Sequence, residues 1–354
     1  MYNFSYKTLS LILKCILYLI SSNYLFLGCS SSTEYSISDH YDGSRFLNPS
    51  DRTEHGLWDV VKMLTTSSFE DWPESVSNSP SPNMNHALKV NEIAITFINH
   101  ATVLIQVQGY NILTDPIWSK RASPYSWIGP KRHREPGIAI ESLPKIDYVL
   151  ISHNHYDHMD IETLKKLNEI FAPHFVVPLG NKKFLLDNDI LNVSELDWWE
   201  TDKFNPNIQL SLAPAHHASA RGLFDRNKTL WGSFLISINK QKIYFAGDTA
   251  YSSHFAAIRK RFGAPDIALL PIGAYEPRWF MKLVHMNPTE AVKAHLDLGA
   301  KQSIGIHFGT FQLTQERIDQ PRKDLNLELK NKQLNIKEFI TLDEGQTRIF
   351  KLNN

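Results

Sequence analysis

The sequence predicts a mixed α/β protein, and three observations carry that reading. Apolar residues alternate over 93–114, a strand, helix, strand unit occupies 148–177, and buried strands are interleaved with helical stretches from 208 to 306. With 354 residues, 42% of them hydrophobic, the chain can build one large domain or two small ones. Lys plus Arg and Asp plus Glu are both 37, so no excess charge draws the protein to a polyanion by counterion release, and no nucleic-acid partner is expected.

The chain opens on a segment unlike the rest. Lys7 and Lys14 precede the mostly apolar run Cys15 to Leu27, short for a membrane span and suited to the core of a secretory signal. Gly28 and Cys29 follow, then the small polar stretch SSSTEYSIS. This resembles a bacterial lipoprotein cleavage box, so residues 1–29 read as a signal peptide and Cys29 as the lipidated first residue. Phe26, where Leu is commonest, and Lys14, inside the apolar stretch, depart from the pattern; a plain signal peptide and an uncleaved anchor are the alternatives. The chain's two cysteines are Cys15 and Cys29, so a chain starting at Cys29 forms no internal disulfide. Ser30 after Cys29 resembles outer-membrane sorting in Gram-negative bacteria. The expected location is the cell envelope, with the membrane as a partner through the lipid anchor.

Residues 30–85 read as a tether and an ordered extension, with Tyr41, Phe46, Trp58, Phe69 and Trp72 around one helix, Leu57 to Leu64. Ser75 to Asn85 is a Pro/Ser/Asn linker, which leaves 86–354 as the main domain. Ile93 to Phe97, Val103 to Val107 and Tyr110 to Thr114 predict an antiparallel meander. Ile161 to Phe171 has helical spacing between strands at 148–151 and 175–177. A short helix near Lys182 to Leu186 and a strand at Ser194 to Asp197 come next. Later strands are expected at Ile208 to Ala213, in a hairpin of Thr229 to Ile238 and Gln241 to Ala246 across Asn239 and Lys240, at Ile267 to Pro271 and at Ser303 to Ile306. Helices are expected at Tyr251 to Phe262 and Thr289 to Leu298. A final hairpin pairs Phe339 to Thr341 with Thr347 to Leu352.

The chemistry concentrates after the strand Tyr148 to Ile151, where His153, His155, Asp157 and His158 fall within six residues. Two imidazoles two positions apart can point into one metal while Asp157 and His158 face a second. Nitrogen and oxygen donors without sulfur suit zinc, with manganese or iron as alternatives. With His at 15 of 354 positions, such a run arises by chance roughly once or twice in a thousand chains of this size, so it is specific. Further donors stand at strand ends: His216 or His217 in PAHHASAR, Asp248 in AGDT, and His307. A carboxylate has two oxygens, so Asp248 can bridge two metals; a turn or helix cap is its plain alternative. Asn99, His100 and Asp115 are polar residues near the edge of the first strand layer.

These residues resemble the metallo-β-lactamase superfamily. The segments TDPIWSKRAS, FAGDT, LPIGAYEPRWFMK, HMNPTEA and IHFGTF are similar to its N-acyl-phosphatidylethanolamine-hydrolysing phospholipase D branch and bacterial relatives, from about Asp39 almost to the C-terminus. The resemblance implies a four-layer αββα sandwich. Counting back from Arg221 it selects His217 over His216, with Ala218 where the family commonly has an aromatic residue. It places His153, His155 and His217 on one metal, Asp157, His158 and His307 on the other and Asp248 between them, with Asp157 and His285 in catalysis. It implies that Asn99, His100 and Asp115 are hydrogen-bonding supports rather than ligands. Two Zn(2+) would then hold a hydroxide aimed at phosphorus or carbonyl. The expected activity is phosphodiester hydrolysis of N-acyl-phosphatidylethanolamine-like phospholipids. A lactonase or other small-molecule hydrolase, and a non-catalytic envelope protein keeping the fold, are the competing readings. The chain has no GxSxG motif. Oligomeric state is open, a homodimer included.

Overall fold

The computed structural model describes residues 35–48, 55–66, 68–79, 88–202 and 204–351. The expected signal peptide, Cys29 and residues 80–85 of the expected linker lie outside the described residues. Among the described residues, no helix is long and apolar enough to cross a membrane.

Two sheets form the centre. Strands β1 (Glu92–Asn99), β2 (Thr102–Val107), β3 (Tyr110–Thr114), β4 (Tyr148–Leu150), β5 (His174–Pro178), β6 (Val193–Leu196) and β13 (Thr347–Lys351) make a seven-stranded sheet in the order β13-β1-β2-β3-β4-β5-β6. Strands β7 (Gln209–Ala213), β8 (Ser233–Ile238), β9 (Gln241–Phe245), β10 (Ile267–Pro271), β11 (Gln302–Ile306) and β12 (Phe339–Ile340) make a six-stranded one, ordered β12-β11-β10-β9-β8-β7. The β1 to β3 meander is antiparallel as its alternation predicts. β4 and β5 run parallel on either side of helix α2 (Ile161–Phe171), following α1 (Leu57–Thr66).

Side-chain alternation decides the layering. Ile93, Ile95 and Phe97 of β1 and Val103 and Ile105 of β2 share one core with Leu210, Leu212 and Phe234 of the second sheet. The opposite face of the first sheet carries Leu104, Val149, Phe175 and Val177 against Leu164 and Leu167 of α2. The second sheet is covered by α4 (His254–Phe262), α6 (Pro288–Leu298) and α7 (Gln320–Asn331), whose Phe255, Val292 and Leu325 join the main core; short helices α3 (Lys182–Leu186) and α5 (Arg278–Met281) complete the set. Helix, sheet, sheet, helix is the expected sandwich. Each fully buried Leu, Ile or Phe contributes about 1.5–3 kcal/mol, so the paired faces hold the layers together.

The C-terminal hairpin is corrected. Phe339–Ile340 pairs in parallel with β11, while Thr347–Lys351 crosses to the other sheet and pairs antiparallel with β1. Every residue of β1 is buried, so its open edge would leave unpaired backbone groups away from water, and β13 satisfies them. Helix α7 leaves little trace in the sequence because its apolar stripe is thin: only Pro321, Leu325 and Leu329 are buried.

The extension is folded into the body. Phe46 is fully buried in the main core, His40 Nε2 lies 2.7 Å from Asp197 Oδ1, and Trp72 Nε1 donates to Glu316 O at 2.8 Å.

Candidate metal centre

Strand ends from both sheets meet at one place. After β4 the chain leaves regular structure and turns tightly, His158 N and Met159 N both donating to His155 O, at 3.1 and 2.8 Å. The second sheet brings His217 after β7, Asp248 after β9 and His307 after β11 to the same spot. Gly247 (φ +59) is what lets the sheets approach. A Cβ there would overlap Ser152 Cβ and lie 2.7 Å from Ser152 Oγ, directly beside His153.

Two groups of donors result. His153 Nε2 lies 2.8 Å and His217 Nε2 3.3 Å from His155 Nδ1. On the other side Asp157 Oδ2 lies 3.2 Å from His158 Nε2 and 3.4 Å from His307 Nε2. Asp248 faces both: its Oδ2 is 3.1 Å from His158 Nε2 and from His307 Nε2, 3.9 Å from His153 Nε2 and 3.8 Å from His217 Nε2. All seven residues singled out as ligands are thus brought together. His216, the alternative to His217, instead lines a separate cavity with Trp198 and His254.

The ring tautomers follow from the supporting bonds. A carboxylate cannot donate, so the 2.6 Å contact of His158 Nδ1 with Asp115 Oδ2 puts a proton on Nδ1 and leaves Nε2 as the nitrogen that a cation would take. His217 Nδ1–H donates to Val284 O at 2.9 Å, with the same result. Ser152 gives its hydroxyl proton to Asp115 at 2.6 Å and so accepts from His153 Nδ1–H at 2.9 Å. Asp115 therefore orients His158 directly and His153 through Ser152, the supporting position expected from sequence. His100 also supports: its Nε2–H donates to Asp157 Oδ2 at 2.9 Å, and its backbone carbonyl receives His307 N at 2.7 Å. A ring nitrogen of His100 lies close to Asp157, His158 and His307. His100, Asp115 and His307 all adopt positive φ (46°, 33° and 61°), a conformation held here by the surrounding bonds.

Ser152 and Val284 O escaped sequence reasoning. A serine between the buried strand and the first histidine was the available signal for the former; a backbone carbonyl carries none.

Electrostatics separates the two groups. Burial, reinforced by neighbouring histidines, holds His153 and His217 well below their ordinary pKa. For His158 and His307 burial acts the same way, yet Asp248 and Asp157 outweigh it, raising His158 well above the ordinary value and His307 to about 9. Burial opposes charge on Asp157 and Asp248, but His158 and its neighbours hold both well below the usual carboxylate range.

This donor set fits divalent cations. His158 Nε2, His307 Nε2 and Asp248 Oδ1 are buried with no hydrogen-bond partner, which is costly unless something else binds them. His285 stands beside them, its Nδ1 unpartnered and 3.9 Å from Asp248 Oδ2, in a group with His217 and Asp248.

The chain is similar to known proteins. Residues 110–308 match the β-lactamase superfamily domain. The chain is 37% identical over 329 residues to N-acyl-phosphatidylethanolamine-hydrolyzing phospholipase D 1 of Caenorhabditis elegans, covering 86% of this chain and 92% of the relative. It is 42% identical over 225 residues to the mitochondrial N-acyl-phosphatidylethanolamine-hydrolyzing phospholipase D of Saccharomyces cerevisiae, covering 62% and 48%. A metallo hydrolase from the archaeon Ignicoccus hospitalis shares the fold at a TM-score of 0.56 and 21% identity, over 74% of this chain and all of that one. The chain belongs to the β-lactamase superfamily and is one of its metal-dependent hydrolases.

Proposed function

We propose that this protein is a phosphodiesterase of phospholipase D type, acting on N-acyl-phosphatidylethanolamine-like phospholipids with two zinc ions. The observation that carries the reading is the shared carboxylate: Asp248 Oδ2 lies 3.9 and 3.8 Å from His153 and His217 on one side and 3.1 Å from both His158 and His307 on the other. The similarity to the nematode enzyme, over most of both chains, supports the substrate class. Zinc bound there supplies Lewis acidity, polarising a phosphoryl oxygen and making water a competent nucleophile near neutral pH.

The protein's own groups do the rest. Asp115, Ser152 and Val284 O keep three imidazoles presenting Nε2 to the centre. Asp157, bonded by His100, places a carboxylate oxygen beside His158 and His307. Burial, helped by His307 and opposed by Asp248, lowers His285 to about 4, so its imidazole is neutral at pH 7. The free Nδ1 is available to bond a substrate oxygen or a water and to handle its proton. Water attacks phosphorus, the bond from phosphorus to the head-group oxygen breaks, and N-acylethanolamine leaves with a proton.

The test is turnover of N-acyl-phosphatidylethanolamine in mixed micelles by zinc-loaded full-length protein, run beside a lactone panel. Release of N-acylethanolamine and phosphatidic acid is expected. Lactone turnover without lipid hydrolysis would replace this reading with a lactonase, and no turnover of either would favour a non-catalytic role.

We read residues 86–354 as the hydrolase unit, 30–85 as its tether and extension, and Cys29 as a lipid anchor in the bacterial outer membrane. Support for the anchor is the run from Lys7 to Cys29 alone. Labelled palmitate incorporated into wild type and into Cys29→Ala alike would refute it.

A further inference from the structure

We propose that Arg221 is a positioning residue: it clamps the metal-binding loop, and so sets how tightly the His153, His155 and His217 centre holds its cation. This inference rests on the two-metal reading above.

The loop between β4 and α2 has no strand or helix of its own, so something else must fix its backbone. Arg221 Nη1 donates to Asn154 O at 2.8 Å and to Met159 O at 2.9 Å. Those two carbonyls bracket the run: Asn154 separates His153 from His155, and Met159 follows His158. The guanidinium lies over the ring of Tyr156, from the same loop, at 4.1 Å and over Phe184 of α3 at 4.7 Å. Tyr156 Oη–H in turn donates to Arg221 O at 2.8 Å, so loop and arginine hold each other. At its other end Arg221 N donates to Asp225 Oδ2 at 3.0 Å, and Gly222 N to Asp225 Oδ1 at 2.8 Å.

Arg221 lies four residues after His217 on the same segment. One side chain therefore links the third ligand of that centre to the peptide between the first two. His158 and His307 have independent anchors in Asp115 and in the His100 carbonyl, and His153 and His217 have theirs in Ser152 and Val284 O. Among the described residues the ring of His155 bonds only to the other ligands, so the first centre depends most on the clamped backbone. A lysine ammonium can still donate to the two carbonyls, which a single Nη1 serves here, but it lacks the planar face that lies over Tyr156 and Phe184.

Cobalt(II) titration of metal-free full-length protein tests this, read from visible absorption bands rather than from activity. Arg221→Met keeps an apolar stem and loses the clamp. One cobalt equivalent should bind about 10–100-fold more weakly than in wild type, the other should change by less than about threefold, and far-ultraviolet circular dichroism should be unchanged. Arg221→Lys should recover only part of the loss. If Arg221→Met does not fold, Arg221→Lys carries the test, with one site weakened at least about threefold. Two sites as tight as in wild type, or both weakened equally, would overturn the inference. Wild type that binds no cobalt would sink the two-metal reading itself, a separate and distinguishable failure.

Discussion

The two halves of the centre are built from similar rings but are poised oppositely. His153, His155 and His217 form an all-imidazole group, and burial holds all three rings below their ordinary pKa. Asp157, His158 and His307 form a mixed group in which carboxylates hold protons on the two imidazoles, up to about 9 for His307. Burial is equally severe in both, so the nearby carboxylates make the difference. The first half is ready to receive a cation as it stands. The second already carries positive charge, as protons that a metal must displace.

Removing the group common to both halves should have the largest effect. Asp248→Asn is expected to weaken both metals and lower kcat roughly a thousandfold, because several kcal/mol of charge stabilisation leave with them. Loss of one metal only would show that Asp248 serves one half. Asp115→Asn comes next. It touches His158 directly and His153 through Ser152, so each site should lose about 10–100-fold in affinity. An effect confined to one site would break the relay.

Proton release separates the halves. Zinc added to metal-free protein in weak buffer at pH 7 should expel about two protons, from His158 and His307. His155→Ala should keep that release and His307→Ala should lose about half. The sign is fixed by the raised pKa values: release falls away as pH climbs through about 9, where His307 is already neutral. Metal-free protein loses the stability of the His307 ion pairs over the same range. Below the ordinary histidine value of 6.5 it loses stability for the opposite reason, since unfolding lets His153 and His217 take up protons they refuse when buried. Equal release from both variants would contradict the contrast.

The smallest effect concerns the extension. Asn48 Nδ2 donates to His217 O at 2.8 Å, and His217 N donates back to Asn48 Oδ1 at 3.2 Å. Asn48→Ala should cost about 0.5–1.5 kcal/mol, seen as a modest weakening at the His217 site alone. A chain cut at residue 86 should lose more, since buried Phe46 goes too.

Legibility in the sequence follows contiguity. His153, His155, Asp157 and His158 sit in one short loop after a continuous apolar strand, so spacing alone exposes them. His217, Asp248 and His307 come singly from three strand ends of the other sheet. Composition cannot separate His217 from His216, and resemblance to relatives was needed; in the structure only His217 faces the other donors. The meander and the β4, α2, β5 unit were readable because their neighbours in sequence are neighbours in space. The pairing of the last two strands is not legible because β13 pairs with β1, more than two hundred residues earlier, and nothing local records that edge. The clamp by Arg221 was hidden for the same reason: its partners are carbonyls, which every residue has.

The most direct test of the central claim is metal content. Purified full-length wild type and Asp248→Asn, dialysed against buffer with trace zinc, are measured by plasma mass spectrometry beside protein concentration. About two metal ions per chain in wild type and well under one in the variant are expected. One ion or none in wild type, or two in both proteins, would contradict the account.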